Sequence, residues 1–116
     1  MSELVGIARF KMNEGKVEEF KRLSAQAMEI VKTKDTGTLR YDTYFNEDES
    51  ECVVLEMFRD SQALIDHAQN LEEVSAEILA IVAVVHGELL GEPNEEIRAR
   101  LAGSDVPQLF TPYQSM

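Results

Sequence analysis

A glutamate stands inside an otherwise apolar run, Cys52 to Arg59 (CVVLEMFR), and His67, one of two histidines in the chain, follows on the next element. Carboxylates are seldom buried unless they are paired or hydrogen-bonded. A strand over this run places Cys52, Val54, Glu56 and Phe58 on one face. A helix from Asp60 to Asn70 places Ala63, Leu64, His67, Ala68 and Leu71 on its inner stripe. If that helix packs back on the sheet, His67 meets Glu56. Two chemistries fit such a pair. It can take and return a proton near neutral pH, or it can be a core histidine satisfied by a buried carboxylate. Both remain open on spacing alone. The other chemistry-bearing residues form no group. His86 lies far from His67 in sequence, Cys52 has no Cys or His at ligand spacing, and no glycine-rich phosphate loop occurs, so we expect no metal and no nucleotide.

The elements that must hold the pair are legible around them. Gly37 to Asn70 (GTLRYDTYFNEDESECVVLEMFRDSQALIDHAQN) reads as strand, tight turn, strand, helix. Leu39, Tyr41, Thr43 and Phe45 share one face of the first strand, and Thr38, Arg40, Asp42 and Tyr44 share the other. Gly37 is expected to permit the backbone reversal into that strand. Before it, Leu4 to Met12 reads as a strand and Lys16 to Lys34 as a helix. In the helix, Val17, Phe20, Ala27 and Val31 recur at helical spacing, and Leu23, Met28 and Ile30 widen the stripe.

After Asn70, a second helical segment is expected from Glu72 to Ala83 and a fourth strand from Val84 to Leu90. His86 and Glu88 are assigned to the face of Val84 and Leu90. Pro93 to Ala102 reads as a short helix capped by Asn94 and ended by Gly103. QLFT, between Pro107 and Pro112, reads as a short edge strand. Val106, Leu109, Phe110 and Tyr113 are expected to be packed. Strand, helix, strand, strand, helix, strand is the split βαβ order of an α+β, ferredoxin-like antiparallel sheet. The third strand is apolar on both faces. Val53, Leu55 and Met57 therefore need cover beyond one helix layer, and a homodimer through sheet faces is expected.

The 116 residues fit one domain. The formal net charge of −11, from 22 acidic and 11 basic residues, disfavours nucleic acid and anionic membranes as partners. A single cysteine fits a reduced, cytoplasmic setting. The opening MSELVGIARF lacks a charged leader and a cleavage site, so no signal peptide is expected, and no segment reaches transmembrane length.

ARFKMNEGKVEEF, GTLRYDTYFNEDES and VVLEMFRDSQALIDH together resemble the antibiotic biosynthesis monooxygenase domain, a dimeric α+β barrel. Gly37 and Tyr41 match the glycine and tyrosine that open the family's second strand, Glu56 its strand glutamate, and His67 its histidine. The resemblance spans about residues 3 to 92, and residues 93 to 116 look like an extension seen in some members. It implies a pocket between sheet and helices lined by Tyr41, Phe58 and Leu64, with His67 as base and Glu56 orienting it. It further implies cofactor-free oxidation of a small aromatic or quinol-type substrate by molecular oxygen. The alternatives are a non-oxidising small-molecule binder or isomerising protein on the same scaffold, or a purely structural dimeric module. Phe58 stands where many members carry tryptophan, and the chain has no tryptophan, so haem is not expected.

Overall fold

One central strand organises the sheet. The computed structural model describes residues 3–116; Met1 and Ser2, which open the stretch read for a leader, lie outside the described residues. β1 (Leu4–Met12) pairs antiparallel with β3 (Glu51–Phe58) on one side and with β4 (Val82–Leu90) on the other. β2 (Thr38–Phe45) continues the sheet beyond β3, and β5 (Gln108–Phe110) continues it beyond β4. Between the strands run α1 (Val17–Lys34), α2 (Ser61–Asn70), α3 (Glu72–Leu79) and α4 (Glu95–Leu101). The strand order β2-β3-β1-β4 is the ferredoxin-like arrangement. The sheet is not wholly antiparallel, because β5 runs parallel to β4. The chain leaves β4, crosses back through α4, and re-enters the edge in the original direction, as a parallel neighbour requires.

Antiparallel partners point to the same side, so the register assigns the faces. Cys52, Val54, Glu56 and Phe58 lie with Phe10, Ala8, Gly6 and Leu4 on the helix-covered face. Two buried clusters form there. Phe20, Leu23, Ala27 and Val31 of α1 pack with Cys52, Val54, Val74, Ile81 and Val82. Leu4, Phe58, Ala63, Ile65, Leu89 and Ile97 form the second, which joins α2 and α4 to the sheet. Ile65, absent from the predicted stripe of α2, is one of its buried residues. Val5, Ile7, Val53, Leu55 and Met57 occupy the opposite face and are only partly covered.

Caps fix the helices that matter to the site. The Asp60 carboxylate accepts from the Ala63 N–H at 2.9 Å, and Asn94 Oδ1 accepts from the Ile97 N–H at 3.0 Å. Gly37 has a different task from the one expected. It does not occupy the left-handed region, which Gly15, Gly91 and Gly103 do. A Cβ at Gly37 would stand 2.5 Å from that of Ala63, so the residue is small to let α2 lie against the start of β2.

Four further expectations are corrected. Leu39 is 49% exposed, because a bulge pairs Thr38 with Phe58 and Arg40 with Met57 and leaves Leu39 outside the alternation. A bulge at Val85 pairs Arg9 with His86 but Phe10 with Val84. Val84 therefore stays on the helix side while His86, Glu88 and Leu90 face away. The second helical segment ends at Leu79 rather than Ala83, because the valine-rich run Val82–Val85 goes into β4. The tail is packed only in part: Leu109 contacts the second cluster, whereas Val106 is 47%, Phe110 43% and Tyr113 96% exposed. No helix among the described residues is long and apolar enough to cross a membrane.

Candidate active site

The site is assembled from one strand row and two helix ends. Glu56 sits in mid-sheet, between Tyr41 of β2 and Gly6 of β1. Gly6 leaves room for its carboxylate, since a Cβ there would lie 3.2 Å from Glu56 Oε1. His67 lies in the last turn of α2, where a helix end favours a cation. Its Nε2 is 3.2 Å from Glu56 Oε2, and its Nδ1 is 2.6 Å from Asp35 Oδ2. The imidazole is held by rings as well, with Phe58 at 5.0 Å and Tyr41 at 5.4 Å between centroids.

Asp35 was not singled out from the sequence. It is the C-cap of α1, and its side chain is only 2% exposed. Besides His67, it accepts hydrogen bonds from Thr38 Oγ1 at 2.7 Å and Asn70 Nδ2 at 2.9 Å. A carboxylate at a helix C-terminus opposes the helix dipole and therefore calls for such donors. That mismatch, just before Thr36 and Gly37, was the one signal available. Burial pushes the Asp35 carboxyl up. The bonds from Asn70, Thr38 and His67 outweigh burial and hold it below its ordinary value.

Burial likewise pushes His67 down, and the hydrogen bonds and charges of Glu56 and then Asp35 outweigh it, so its pKa is raised above 6.5. With a carboxylate at each ring nitrogen, the imidazolium is the form in which both N–H groups donate. The Asp35–His67–Glu56 array thus sets two carboxyl groups against one imidazole. Tyr41 is pushed well up by burial, then by Glu56 and Asp35, and stays a neutral phenol. Cys52 is pushed up to about 11 by burial, which leaves an unreactive thiol.

Two cavities meet at this array and share part of their lining. The first, about 290 Å³, runs beneath α1 and α3 past Phe20, Tyr41, Thr43 and Ile78. The second, about 470 Å³, runs beneath α2 and α4 past Phe58, Leu64, Ile97 and Pro107. Ala8, Phe10, Glu56, His67, Ala68 and Leu79 line both. The array is thus the junction of two mainly apolar lobes. Glu56 is its more open member, with 28% of its side chain exposed against 8% for His67. Tyr41 therefore lines the first lobe, Phe58 and Leu64 line the second, and Glu56 and His67 stand between. His86 and Glu88 lie 2.8 Å apart; the register turns both toward the other sheet face, yet Glu88 also lines the second cavity.

Solved structures resemble this fold closely. The crystal structure of MupZ from Pseudomonas fluorescens superposes with a TM-score of 0.83 at 26% identity, covering 98% of this chain and 93% of that one. That coverage includes α4 and β5. Rv0793 from Mycobacterium tuberculosis follows at 0.64 and 24%, with coverages of 80% and 97%. SnoaB, a cofactor-independent oxygenase from Streptomyces nogalater, gives 0.66 at 16%, with coverages of 77% and 91%, a likeness of fold alone. No curated protein sequence matches the chain. The family profile described as antibiotic biosynthesis monooxygenase matches residues 4–84, which hold Asp35, Tyr41, Glu56, Phe58, Leu64 and His67 alike. On that match, the chain belongs to the antibiotic biosynthesis monooxygenase family.

Proposed function

We propose that the junction is an acid–base centre that removes a proton from an uncharged reacting group of a mainly apolar substrate, and that the resulting anion reacts with molecular oxygen without a bound cofactor. The observation that carries this is the His67 ring held between the carboxyl groups of Asp35 and Glu56 where the two lobes meet. The proton acceptor is the Glu56 carboxylate, through Oε1, the oxygen not bonded to His67. Charge favours the transfer. The array holds more carboxyl groups than imidazoles in a mainly apolar cavity, so accepting a proton offsets negative charge there as the substrate becomes anionic. For a substrate with an activated CH2 beside a phenol ring, the balance is closed. The carbon loses two hydrogens and gains one oxygen atom as C=O, the second oxygen atom leaves as water, and the four electrons come from the substrate. Family membership and the oxygenase likeness support the oxygen step.

A second reading keeps the proton transfer and drops oxygen. Glu56, once protonated, can return the proton to a different carbon, which would make the protein an isomerising or non-oxidising catalyst on the same ligand. The 3.2 Å contact of His67 Nε2 with Glu56 Oε2 favours it, since the imidazole can then relay protons through the carboxyl group that faces the substrate. One experiment separates the two. Purified protein with metals chelated is given a panel of anthrones and quinols, and oxygen uptake is followed beside solvent deuterium incorporation under argon. Uptake matched mole for mole by ketone supports the first reading. Deuterium incorporation without uptake supports the second, and neither signal on any substrate would overturn both.

The open sheet face fits a second copy of the chain. Val5 pairs with Met57 and Ile7 with Leu55, which makes a contiguous apolar patch edged by the Arg9–Glu51 and Arg40–Asp42 ion pairs. We expect a homodimer through this face. Leu55→Asp should shift the sedimentation mass from two chains to one at micromolar concentration, with the circular dichroism spectrum retained. A wild-type protein sedimenting as one chain would refute it.

A further inference from the structure

We infer that the cavity takes an elongated, mainly apolar molecule with one acidic end group, and that Arg100 receives that group in the second lobe. The inference rests on the acid–base reading for what happens at the junction, but it concerns which molecule is held there.

Three observations carry it. The reactive array lies where two lobes meet and not at the closed end of one, so a ligand that fills both must pass Glu56 in mid-length. A compact aromatic would occupy one lobe and leave the other unfilled. The lobe volumes of about 290 and 470 Å³ suit a larger, drug-sized ligand.

The second lobe is also lined by the chain beyond residue 84. Ile97, Arg100 and Leu101 of α4 line it together with Val106 and Pro107. Gly87 is what lets Val106 and Pro107 sit so close. A Cβ there would stand 3.1 Å from Val106 Cγ1 and 3.5 Å from Pro107 Cα.

The third observation is charge. Among the described residues, Arg100 is the only lysine or arginine lining either lobe. The array sets two carboxyl groups against one imidazole, Glu88 also lines the second lobe, and the whole chain carries −11. An acidic group on the ligand is therefore repelled from the junction and finds compensation only at Arg100. Arg100 now bonds Glu96 at 2.8 Å, with both side chains 55% exposed. An exposed i,i+4 pair of this kind is worth little, so a ligand carboxylate can replace Glu96. Anchoring one end at Arg100 then fixes which part of the molecule lies against Glu56, which is a specificity role and not a chemical one.

The test uses full-length protein and a dansyl-labelled undecanoic acid, displaced in turn by dodecanoate and by 1-dodecanol. Dodecanoate should displace the probe about tenfold more effectively than the alcohol. Arg100→Gln should remove that preference, Arg100→Lys should keep part of it, and Glu96→Gln, which frees the guanidinium, should widen it. Equal displacement by acid and alcohol, displacement by neither, or a preference that survives Arg100→Gln would overturn the inference. Because binding is read without turnover, the two readings fail separately. A persistent acid preference in a protein whose turnover is indifferent to Glu56→Gln refutes the acid–base centre alone. Absent preference in a protein that turns over a neutral anthrone through Glu56 refutes the substrate class alone.

Discussion

Glu56→Gln should lower turnover by roughly 10²- to 10⁴-fold, the span that a positioned general base contributes, while leaving the folded structure intact. The amide keeps the shape of the carboxylate and can still accept from His67 Nε2–H, which lies 3.2 Å from Oε2. What it loses is the ability to accept a proton from a substrate in the cavity. Gly6 leaves space beside Oε1, so the amide fits without clash. The substitution also removes the largest influence that raises the His67 pKa. The imidazole should then titrate at lower pH, visible as a shift of its Cε1–H resonance. A structural pair predicts the opposite pattern, in which activity falls only as far as folded protein is lost. A variant with wild-type turnover, or one whose lost activity tracks its lost ellipticity, would rule out Glu56 as the base.

The same residues show why part of this site was readable and part was not. Glu56 stood out because it breaks an apolar strand, and His67 because it falls on the inner stripe of a helix. Both signals are local and periodic, and the pairing of β3 with β1 brings them to one face. Asp35 carries no periodic signal. It follows the last turn of α1, where Lys32 and Lys34 read as an ordinary helix end. Its meaning comes from Thr38, His67 and Asn70, which only the folded chain brings to it.

The faces of β2 and β4 failed for a related reason. One extra residue at Leu39 and one at Val85 reverse the alternation locally, and neither position is a glycine that would announce a bulge. The α3–β4 boundary was blurred because Ile81–Val85 is apolar and largely β-branched and fits a buried helix or a buried strand. The second lobe was invisible, since it requires α4 and the Val106–Pro107 segment to come back over β4.

Asp35→Ala should cost about 3–5 kcal/mol of folding stability, the usual penalty for removing one member of a buried charged pair. The truncation leaves His67 Nδ1–H, the Thr38 hydroxyl and the Asn70 amide without their acceptor in a site where Asp35 is 2% exposed. Asp35→Asn preserves shape and should cost less, but the imidazolium then loses one of its two counter-charges. The pH dependence gives the diagnostic sign. His67 has its folded pKa raised above 6.5. Its contribution is therefore complete below 6.5 and fades as pH climbs through the higher folded value. Asp35 has its folded pKa lowered below 3.8. Its contribution is complete above 3.8 and is lost as pH falls through the still lower folded value. The wild type should thus exceed Asp35→Ala by most between about pH 4 and 6.5, with the gap narrowing on the alkaline side as His67 deprotonates. Urea titrations at several pH values across this range measure the gap directly. A gap that widens on the alkaline side, or a His67 resonance that titrates below 6.5 in the wild type, would show that the two carboxylates do not hold an imidazolium between them.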